Sequence, residues 1–374
     1  MSVTIKEVKS RLELKAFISF PEKLYKYCPY WVNALWSDEY KTLLKSENPA
    51  FEYCEAWYFL AEREGKIAGR VAAIINHNAN RDWQVKNMRF GWLDFVDDIE
   101  VSGALLGKVE ELAYEKGMTA VNGPFGFTDM DREGMLIEGF AELGTLATIY
   151  NHEYYPLHTT RAGYGKDVDW LEYEVKNDGE IPEKYLKISK IVSERLKLRS
   201  VRLESKKQLL KYAPQIFDVL NEGFAPLYGF TPLTPKQVEY YIKMYFAFVV
   251  KDFISIVVDT DDQVVAFGIT MPSLSKAMQK SGGKLFPFGF LHILRAMKRN
   301  DTIDFYLMAV KPSLQGKGVN AMLFVDLIPR YKAFGITKTE TNVELESNEL
   351  VRRQWEDYER RQHKRRRAFI KKLN

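Results

Sequence analysis

The stretch with the clearest chemical character is a short glycine-containing turn between two apolar segments. Asp304–Val310 is mostly apolar, with aromatic and β-branched members, which is typical of a strand buried on both faces. Pro312 ends it, and Gln315–Asn320 then leads into the apolar-periodic segment 321–332. Glycines let the backbone turn sharply and approach a ligand, and a helix N-terminus offers unpaired N–H groups. The pattern therefore predicts a strand, a turn and a helix, with an anion site suited to a pyrophosphate.

This turn resembles the acyl-CoA-binding turn of the GNAT (general N-acetyltransferase) superfamily, whose pattern is Q/R-x-x-G-x-G/A. Gln315 and Gly318 match the pattern, and Asn320 stands where the second small residue is expected. The spacing does not fit the common nucleotide-binding loops, because GxxxxGKS/T is absent and no GxGxxG follows a strand. The alternative is an ordinary turn between a strand and a helix, without a ligand.

The resemblance implies acetyl-CoA or another acyl-CoA as co-substrate, bound mainly through the backbone. The strand would offer unpaired backbone groups to the pantetheine arm, as an added β-strand does. N–H groups near Met308 and Val310 would polarise the thioester carbonyl and stabilise the tetrahedral oxyanion. The predicted cofactor-binding residues are Met308, Ala309, Val310, Gln315, Gly316, Lys317, Gly318, Val319, Asn320 and Asn348, the last matching an Asn that is common in the family.

The resemblance also implies a general base and a general acid. The acceptor amine must be neutral to attack and the thiolate must leave, so a base and an acid assist the reaction. Tyr358 is the candidate acid; it follows Trp355, which occupies the position where many members have a tyrosine. Glu344 is the candidate base, and Asp304 and Glu222 are alternatives that the sequence does not rank. Each of these side chains could instead lie on a solvent-exposed face or in a hydrogen-bonded core.

The second half of the chain repeats the order of elements in the first half. Residues 59–69 (FLAEREGKIAG) align with residues 256–266 (IVVDTDDQVVA), with both apolar stripes and the acidic turn in register. Residues 102–118 align with residues 320–336 in the same way. A single repeat with a period of about 200 residues indicates two domains of one type rather than a solenoid. Chance similarity between two hairpin-and-helix units is the alternative.

The predicted fold class is α/β (α+β), with two GNAT-like domains that each contain a mixed, mostly antiparallel sheet flanked by helices. We expect a degenerate N-terminal domain at residues 1–178 and an acyl-CoA-binding domain at 179–374, joined at the polar segment 177–182. Asp97, Asp98 and Glu100 fall where the second half has its glycine turn. These carboxylates suit a helix N-terminus but would repel a pyrophosphate, so only the second domain is expected to bind CoA.

Composition and spacing argue against several other classes of function. The 374-residue chain carries 54 Lys and Arg against 50 Asp and Glu, a formal net charge of +4, which is too balanced to predict nucleic-acid binding. Cys28 and Cys54 have no CxxC spacing, and the 5 histidines share no metal-ligand spacing, so no metal site is predicted. We see no signal peptide and no apolar run of about 18 residues, and therefore expect a cytoplasmic protein without stable membrane insertion.

Two basic segments leave alternatives open. Residues 290–299 (FLHILRAMKR) are amphipathic and basic, which is typical either of a lid or packing helix or of a surface that contacts a membrane. Arg360, Arg361 and residues 365–367 would form either a solvated basic helix end or a site for the 3′-phosphate of CoA or for RNA.

The sequence therefore predicts an acyl-CoA-dependent N-acyltransferase that moves an acyl group, by expectation acetyl, to a small-molecule or peptide amine. The N-terminal domain would help to form the acceptor site, and the sequence names neither the acceptor nor the oligomeric state. One alternative is an aminoacyl- or long-chain acyltransferase of the same fold, the former taking aminoacyl-tRNA as donor. The other is a non-catalytic CoA-binding or scaffold protein, which Trp355 in place of tyrosine and the degenerate first half favour.

Overall fold

A computed structural model describes residues 2–245 and 248–373 of the protein. Its helices and strands follow the apolar patterns of the sequence. Up to residue 176 the elements are β1 (Thr4–Glu7), α1 (Arg11–Leu24), α2 (Trp36–Leu43), β2 (Cys54–Arg63), β3 (Lys66–Asn76), α3 (His77–Asp82), β4 (Asn87–Phe95), α4 (Ile99–Glu115), β5 (Ala120–Gly123), β6 (Met135–Glu138), α5 (Tyr154–Arg161) and β7 (Gly165–Lys176). From residue 183 onward they are α6 (Glu183–Leu196), β8 (Arg199–Ser200), α7 (Lys206–Phe224), α8 (Pro235–Tyr245), β9 (Ile254–Val258), β10 (Val264–Pro272), α9 (Ser275–Ser281), α10 (Gly289–Lys298), β11 (Thr302–Val310), α11 (Val319–Phe334), β12 (Lys338–Glu340), β13 (Glu344–Leu345), α12 (Glu349–Arg353) and β14 (Arg360–Lys372). Short 3-10 turns occur at Pro49–Glu52, Lys251–Phe253 and Pro312–Leu314.

These elements form two units that are interleaved in sequence. Unit 1 comprises residues 1–171, 275–290 and 363–374, and unit 2 comprises residues 172–274 and 291–362. Each contains mixed, mostly antiparallel strands: β1-β2-β3-β4-β5-β14 in unit 1, where β14 contributes residues 363–372, and β7-β12-β11-β10-β9-β8 in unit 2, where β7 contributes residues 172–176. Each sheet thus includes a strand from the other half of the sequence. A domain boundary at residues 178 and 179 stays a prediction.

The two units share one arrangement of strands, which confirms the repeat. In unit 1 the hairpin β2–β3 leads to β4 and α4, and in unit 2 the hairpin β9–β10 leads to β11 and α11. In both units the third strand of this set is irregular, and in both it pairs in parallel with the next strand over only three residues: β4 with β5, and β11 with β12. Parallel strands that separate in this way leave a gap between them.

The cores lie between each sheet and its central helix. In unit 1, α4 packs on β2, β3 and β4 through buried residues such as Leu105 and Val109. In unit 2, α11 packs on β9, β10 and α6, with Leu323 and Val257 fully buried. Burial of such apolar side chains is the main favourable term in folding. Within the described ranges, no helix has the length and apolar character that crossing a membrane requires.

Unit 1 also contains a buried ion pair. Arg70 Nη2 lies 2.7 Å from Asp94 Oδ2, and both side chains are largely buried. Tyr25 and Tyr155 donate hydrogen bonds to Asp94 Oδ1 at 2.9 and 3.2 Å, and Arg70 also donates to the carbonyl of Phe17 at 2.9 Å. A buried charge of this kind is tolerated because its partners replace the lost water.

The basic segment at residues 364–372 lies in strand β14, as the resemblance to the GNAT superfamily implies, and the alternative that its arginines form a solvated basic helix end is wrong. Arg366 is buried in β14 and donates to the carbonyl of Ile149. Arg367 makes two hydrogen bonds, at 2.7 and 2.9 Å, to Asp169, whose side chain is fully buried. Burial alone would raise the pKa of Asp169, but Arg367 and Lys166 hold it below its ordinary value. Much of the positive charge here is therefore used inside the fold.

Candidate functional site

One edge of β11 is open along most of its length. β10 pairs with β11 from Pro272↔Ile303 to Ala266↔Val310, with an irregularity at Tyr306. On its other side β11 pairs with β12 only at residues 302–304. Within the described residues, the edge from 305 to 310 thus has no strand partner, although the Asn342 side chain donates to the Tyr306 carbonyl at 3.0 Å. An open edge of backbone polar groups can bind an extended ligand as an added strand does.

The glycine turn follows this open edge directly. Gln315 ties it to the strand, because its Nε2 donates to the carbonyl of Val310 at 3.1 Å. Gly316 and Gly318 have φ angles of 71° and 83°, in the left-handed region that favours glycine. Gly318 caps α11 without any side-chain hydrogen bond. The N–H groups of the first turn of α11 therefore have no capping side chain, which leaves them available to an anion.

The space around the two glycines differs. A Cβ added at Gly316 would meet nothing within 4 Å, whereas one at Gly318 would lie 2.6 Å from Cγ2 of Ile188 in α6. We conclude that Gly318 is required by packing of α6 against the helix N-terminus as well as by its backbone angle. The free space beside the turn lies at Gly316.

Glu344 has the properties of a proton acceptor. It is 8% exposed, and its Oε1 accepts a hydrogen bond from Trp355 Nε1 at 2.6 Å. Its Oε2 is buried and has no hydrogen-bond partner among the described residues. Burial raises the pKa of Glu344 to about 7, against the opposing effects of the Trp355 hydrogen bond and of Arg360 and Arg352. A carboxyl group that titrates near neutral pH is well suited to general-base catalysis.

Trp355 contacts Glu344 and also packs against β11 and α11. Its ring packs edge-on against Phe305 of β11, with centroids 5.2 Å apart, and against Phe324 of α11 at 5.5 Å. The ring of Tyr358 lies 6.5 Å from that of Trp355. Burial raises the pKa of Tyr358 above its ordinary value, so the phenol keeps its proton at neutral pH. The structure thus brings Glu344, Trp355 and Tyr358 together, and the assignment of Tyr358 as acid stays a prediction.

The other predicted residues are in different surroundings. Asn348 caps α12, with its Oδ1 accepting from the N–H of Val351 at 3.4 Å. Asp304 is buried in β11, and Glu222 is exposed in α7. Sequence reasoning missed Asn342, since an Asn after a short strand gives no distinctive signal, and it treated Trp355 only as a departure from the family pattern.

In unit 1 the position of the turn is occupied by acidic side chains, as the alignment predicts. Asp98 caps α4, and its Oδ1 accepts from the N–H of Glu100 at 3.0 Å. Arg63 pairs with Asp98 and, at 3.1 Å, with Glu100. Asp97 lies 3.1 Å from Nε2 of His158. The N-terminus of α4 is thus capped by the protein's own carboxylates, which would compete with a phosphate and repel it.

The gap beside β4 in unit 1 is also closed. Phe125 donates its N–H to the carbonyl of Phe90 at 2.8 Å, so the chain after β5 lies along the edge of β4. A Cβ at Gly91 would be 2.3 Å from the carbonyl oxygen of Phe125, and a Cβ at Gly123 would be 2.2 Å from that of Phe90. This contact leaves no room for an extended ligand at the position where β11 of unit 2 is open.

Comparison with solved structures identifies the architecture. The chain is similar to a tandem GNAT protein from the clavulanic acid biosynthesis pathway, with a TM-score of 0.55 over 99% of this chain and 98% of that one. This chain has a tandem GNAT-like fold. The predicted resemblance and fold class are confirmed, and the sequence identity of 8% restricts this comparison to the fold.

Two bacterial proteins are similar to the GNAT-like chain in sequence. Protein YghO of Escherichia coli K12 is 26% identical over 320 residues, which cover 84% of this chain and 80% of that protein. A bacterial ceramide synthase of Caulobacter vibrioides is also 26% identical over 320 residues, covering 84% of this chain and 82% of that protein. No family model matches the sequence. The solved structure shows the fold, the relative named as a ceramide synthase agrees with the prediction of an acyltransferase, and the acceptor is left unspecified.

Proposed function

We propose that this GNAT-like protein is an acyl-CoA-dependent N-acyltransferase whose acyl-CoA site lies in unit 2. The observation that carries this proposal is the continuity of the open edge at residues 305–310 with an uncapped glycine turn at the N-terminus of α11. Unit 1 supports the proposal by contrast, because Asp98 caps its helix and Phe125 closes its gap. One chain should therefore bind one acyl-CoA.

In this proposal the backbone binds the donor and two side chains transfer protons. The pyrophosphate would lie at Gln315–Asn320, and the pantetheine arm along residues 305–310 of β11. Glu344 would accept a proton as the acceptor nitrogen attacks the thioester carbon. The C–N bond forms, the C–S bond breaks, and the leaving thiolate takes a proton from Tyr358. A base with a pKa near 7 is deprotonated at the pH where it must act.

For the acceptor, we favour a long-chain amino alcohol over a peptide or a small polar amine. The ceramide synthase to which the chain is similar aligns over 84% of this chain and 82% of its own length. A ceramide is the amide of a long-chain amino alcohol, so its formation is an N-acyl transfer of the type proposed here. The donor would then be a long-chain acyl-CoA rather than acetyl-CoA, as one of the sequence alternatives holds.

Turnover with defined donors and acceptors tests the proposal. Acetyl-CoA and palmitoyl-CoA would each be incubated with a long-chain amino alcohol, a peptide amine or a polyamine, and the amide measured by mass spectrometry. We expect amide from the long-chain pair, and a fall of about 100-fold in the Glu344→Gln variant. Glu222→Gln, which changes an exposed carboxylate of the same unit, is the matched control and should leave the rate unchanged.

The second candidate function is CoA binding without catalysis. The buried hydroxyl of Tyr358, which has no hydrogen-bond partner among the described residues, is the observation that favours it. Binding of CoA without amide formation from any donor and acceptor pair would support this candidate and contradict the enzymatic proposal.

A further inference from the structure

Several large apolar side chains are exposed along one short segment of the chain, residues 286–294. The loop before α10 exposes Phe286 and Phe288, which are 80% and 69% accessible, and α10 itself exposes Phe290, Leu291 and Leu294. We call these five residues the apolar ridge. They include all the exposed phenylalanines of the described residues. The rings of Phe286 and Phe290 lie 6.1 Å apart, and exposed apolar side chains that lie together in this way mark an interaction site rather than an ordinary surface.

The ridge does not belong to the side of α10 that packs on the protein. Ile293 is the buried large side chain of the helix, with 4% exposure. Phe290 and Leu294 are spaced i and i+4, so they lie together on one face, and Leu291 lies beside them. Soluble helices ordinarily place polar residues on the faces away from the core. Here the exposed face is apolar, so the helix has a second apolar side with no protein against it in the described residues.

Positive charge lies next to the ridge. Arg295 and Lys298 follow Leu291 and Leu294 by four residues each, and Arg299 comes next; all three are exposed. In the part of the chain that the structure describes, none of the three forms an ion pair. Residues 284–299 contain no Asp or Glu at all. Such a segment would complement a surface that is uniformly negative.

We propose that residues 284–299 dock on a membrane surface containing anionic lipids. The apolar ridge would insert at the boundary of headgroups and acyl chains, with Arg295, Lys298 and Arg299 at the headgroups. Interfacial helices bind through this combination of an apolar face and basic side chains, whose long stems reach the headgroup level. A protein partner explains the apolar residues equally well but not the absence of any carboxylate among sixteen consecutive residues.

This docking surface is independent of the acyl-transfer proposal, because it is argued from the surface alone. Only one consequence rests on the proposed function: a docked enzyme could take a long-chain amine directly from the membrane. Vesicle binding and CoA binding are therefore measured separately, so that failure of one inference is distinguishable from failure of the other.

The test is flotation of the full-length protein with vesicles of phosphatidylcholine, either pure or with about 30% phosphatidylglycerol. The charge variant is Arg295→Gln/Lys298→Gln/Arg299→Gln, and the ridge variant is Phe286→Ser/Phe288→Ser. Each cation near the membrane strengthens binding to an anionic surface about fivefold, so the charge variant, which lacks three cations, should bind the vesicles with phosphatidylglycerol roughly 100-fold more weakly. The ridge variant should bind at least about tenfold more weakly to both kinds of vesicle.

Matched controls change the same chemistry elsewhere. Lys15→Gln/Lys45→Gln/Lys207→Gln removes three exposed charges, and Leu12→Ser/Leu350→Ser removes two side chains that are 78% and 69% exposed. Both controls should bind vesicles like the wild type, and all variants should keep the wild-type circular dichroism and CoA affinity.

Three outcomes would overturn the docking proposal. The first is the absence of binding to either vesicle by a protein that still binds CoA. The second is equal loss of binding in the controls and in the ridge and charge variants. The third is a wild-type dimer in light scattering that the ridge variant abolishes, since this would assign the surface to a second copy of the chain.

Discussion

Adding a negative charge to the glycine turn should weaken CoA binding while leaving the helix folded. Gly316 is the position to change, because a Cβ there meets nothing within 4 Å. Its φ of 71° is left-handed, and Asp and Asn are among the side chains that adopt this region most readily. Gly316→Asp and Gly316→Asn thus carry nearly equal size and strain and differ in charge. Gly318 is a poorer choice, because a side chain there would collide with Ile188.

The expected magnitude follows from the distance between the new carboxylate and the pyrophosphate. For two unit charges about 5 Å apart, with an effective dielectric constant of about 20 to 80, the repulsion is roughly 1–3 kcal/mol. This corresponds to a Kd for CoA that is about 5 to 150 times higher. Gly316→Asn should change the Kd by no more than a few fold, since it adds strain without charge.

Isothermal titration of CoA into the wild type and both variants measures the difference. The titrations would be repeated at high ionic strength, where screening should reduce the gap between the Asp and Asn variants. Thermal unfolding followed by circular dichroism controls for stability. Equal affinities of Gly316→Asp and Gly316→Asn at low salt would show that the pyrophosphate does not lie beside this turn.

Four further predictions concern side-chain contacts within each unit. The pH profile of kcat/KM should rise with an apparent pKa of about 7, from ionisation of Glu344, and Glu344→Gln should abolish this limb; an unchanged profile would exclude Glu344 as base. Trp355→Phe removes a hydrogen bond that lowers this pKa, so the midpoint should move to higher pH, and a shift downward would contradict the contact. Because burial raises the pKa of Glu344, the folded protein holds this proton more tightly than the unfolded chain, and the free energy of unfolding should fall as pH rises from about 4.5 to 7. In a denaturant titration at about pH 8, Glu344→Gln should be more stable than the wild type by on the order of 2 kcal/mol. Equal stabilities would argue against the raised pKa. Arg70→Met should lower the free energy of unfolding by about 3–5 kcal/mol in the same assay, because it leaves Asp94 buried and unpaired. Arg70→Met/Asp94→Leu should recover part of this loss of stability. A double variant less stable than the single variant would show that the ion pair itself stabilises unit 1.

The sequence predicted the features of the fold that depend on local pattern. The hairpins at residues 59–69 and 256–266, the helices after them and the turn at Gln315–Asn320 all appear where the apolar periodicity and the glycines place them. The exchange of strands between halves was not predictable in this way. Pairing of β7 with β12 and of β14 with β5 joins segments that are distant in sequence, and no local signal specifies it.

The candidate site could be predicted only in part from the sequence, because ion pairing and burial determine the properties of its charged side chains. The arginines of β14 look like a solvated run until Asp169 is placed against them. Glu344 could not be ranked above Asp304 or Glu222 from sequence, because its raised pKa comes from burial and its partner Trp355 lies 11 positions away. Closure of the unit 1 gap by Phe125 is likewise a contact between segments that are distant in sequence, although the acidic residues at 97–100 indicated the same asymmetry.

The most direct test of acyl-CoA binding in unit 2 is a crystal structure of the protein with a non-hydrolysable acyl-CoA analogue. We expect one ligand per chain, with its pyrophosphate at the N–H groups of Gln315–Asn320 and its pantetheine arm along residues 305–310. Density at the N-terminus of α4, beside Asp97–Val101, or a pyrophosphate bound away from the α11 turn, would contradict it.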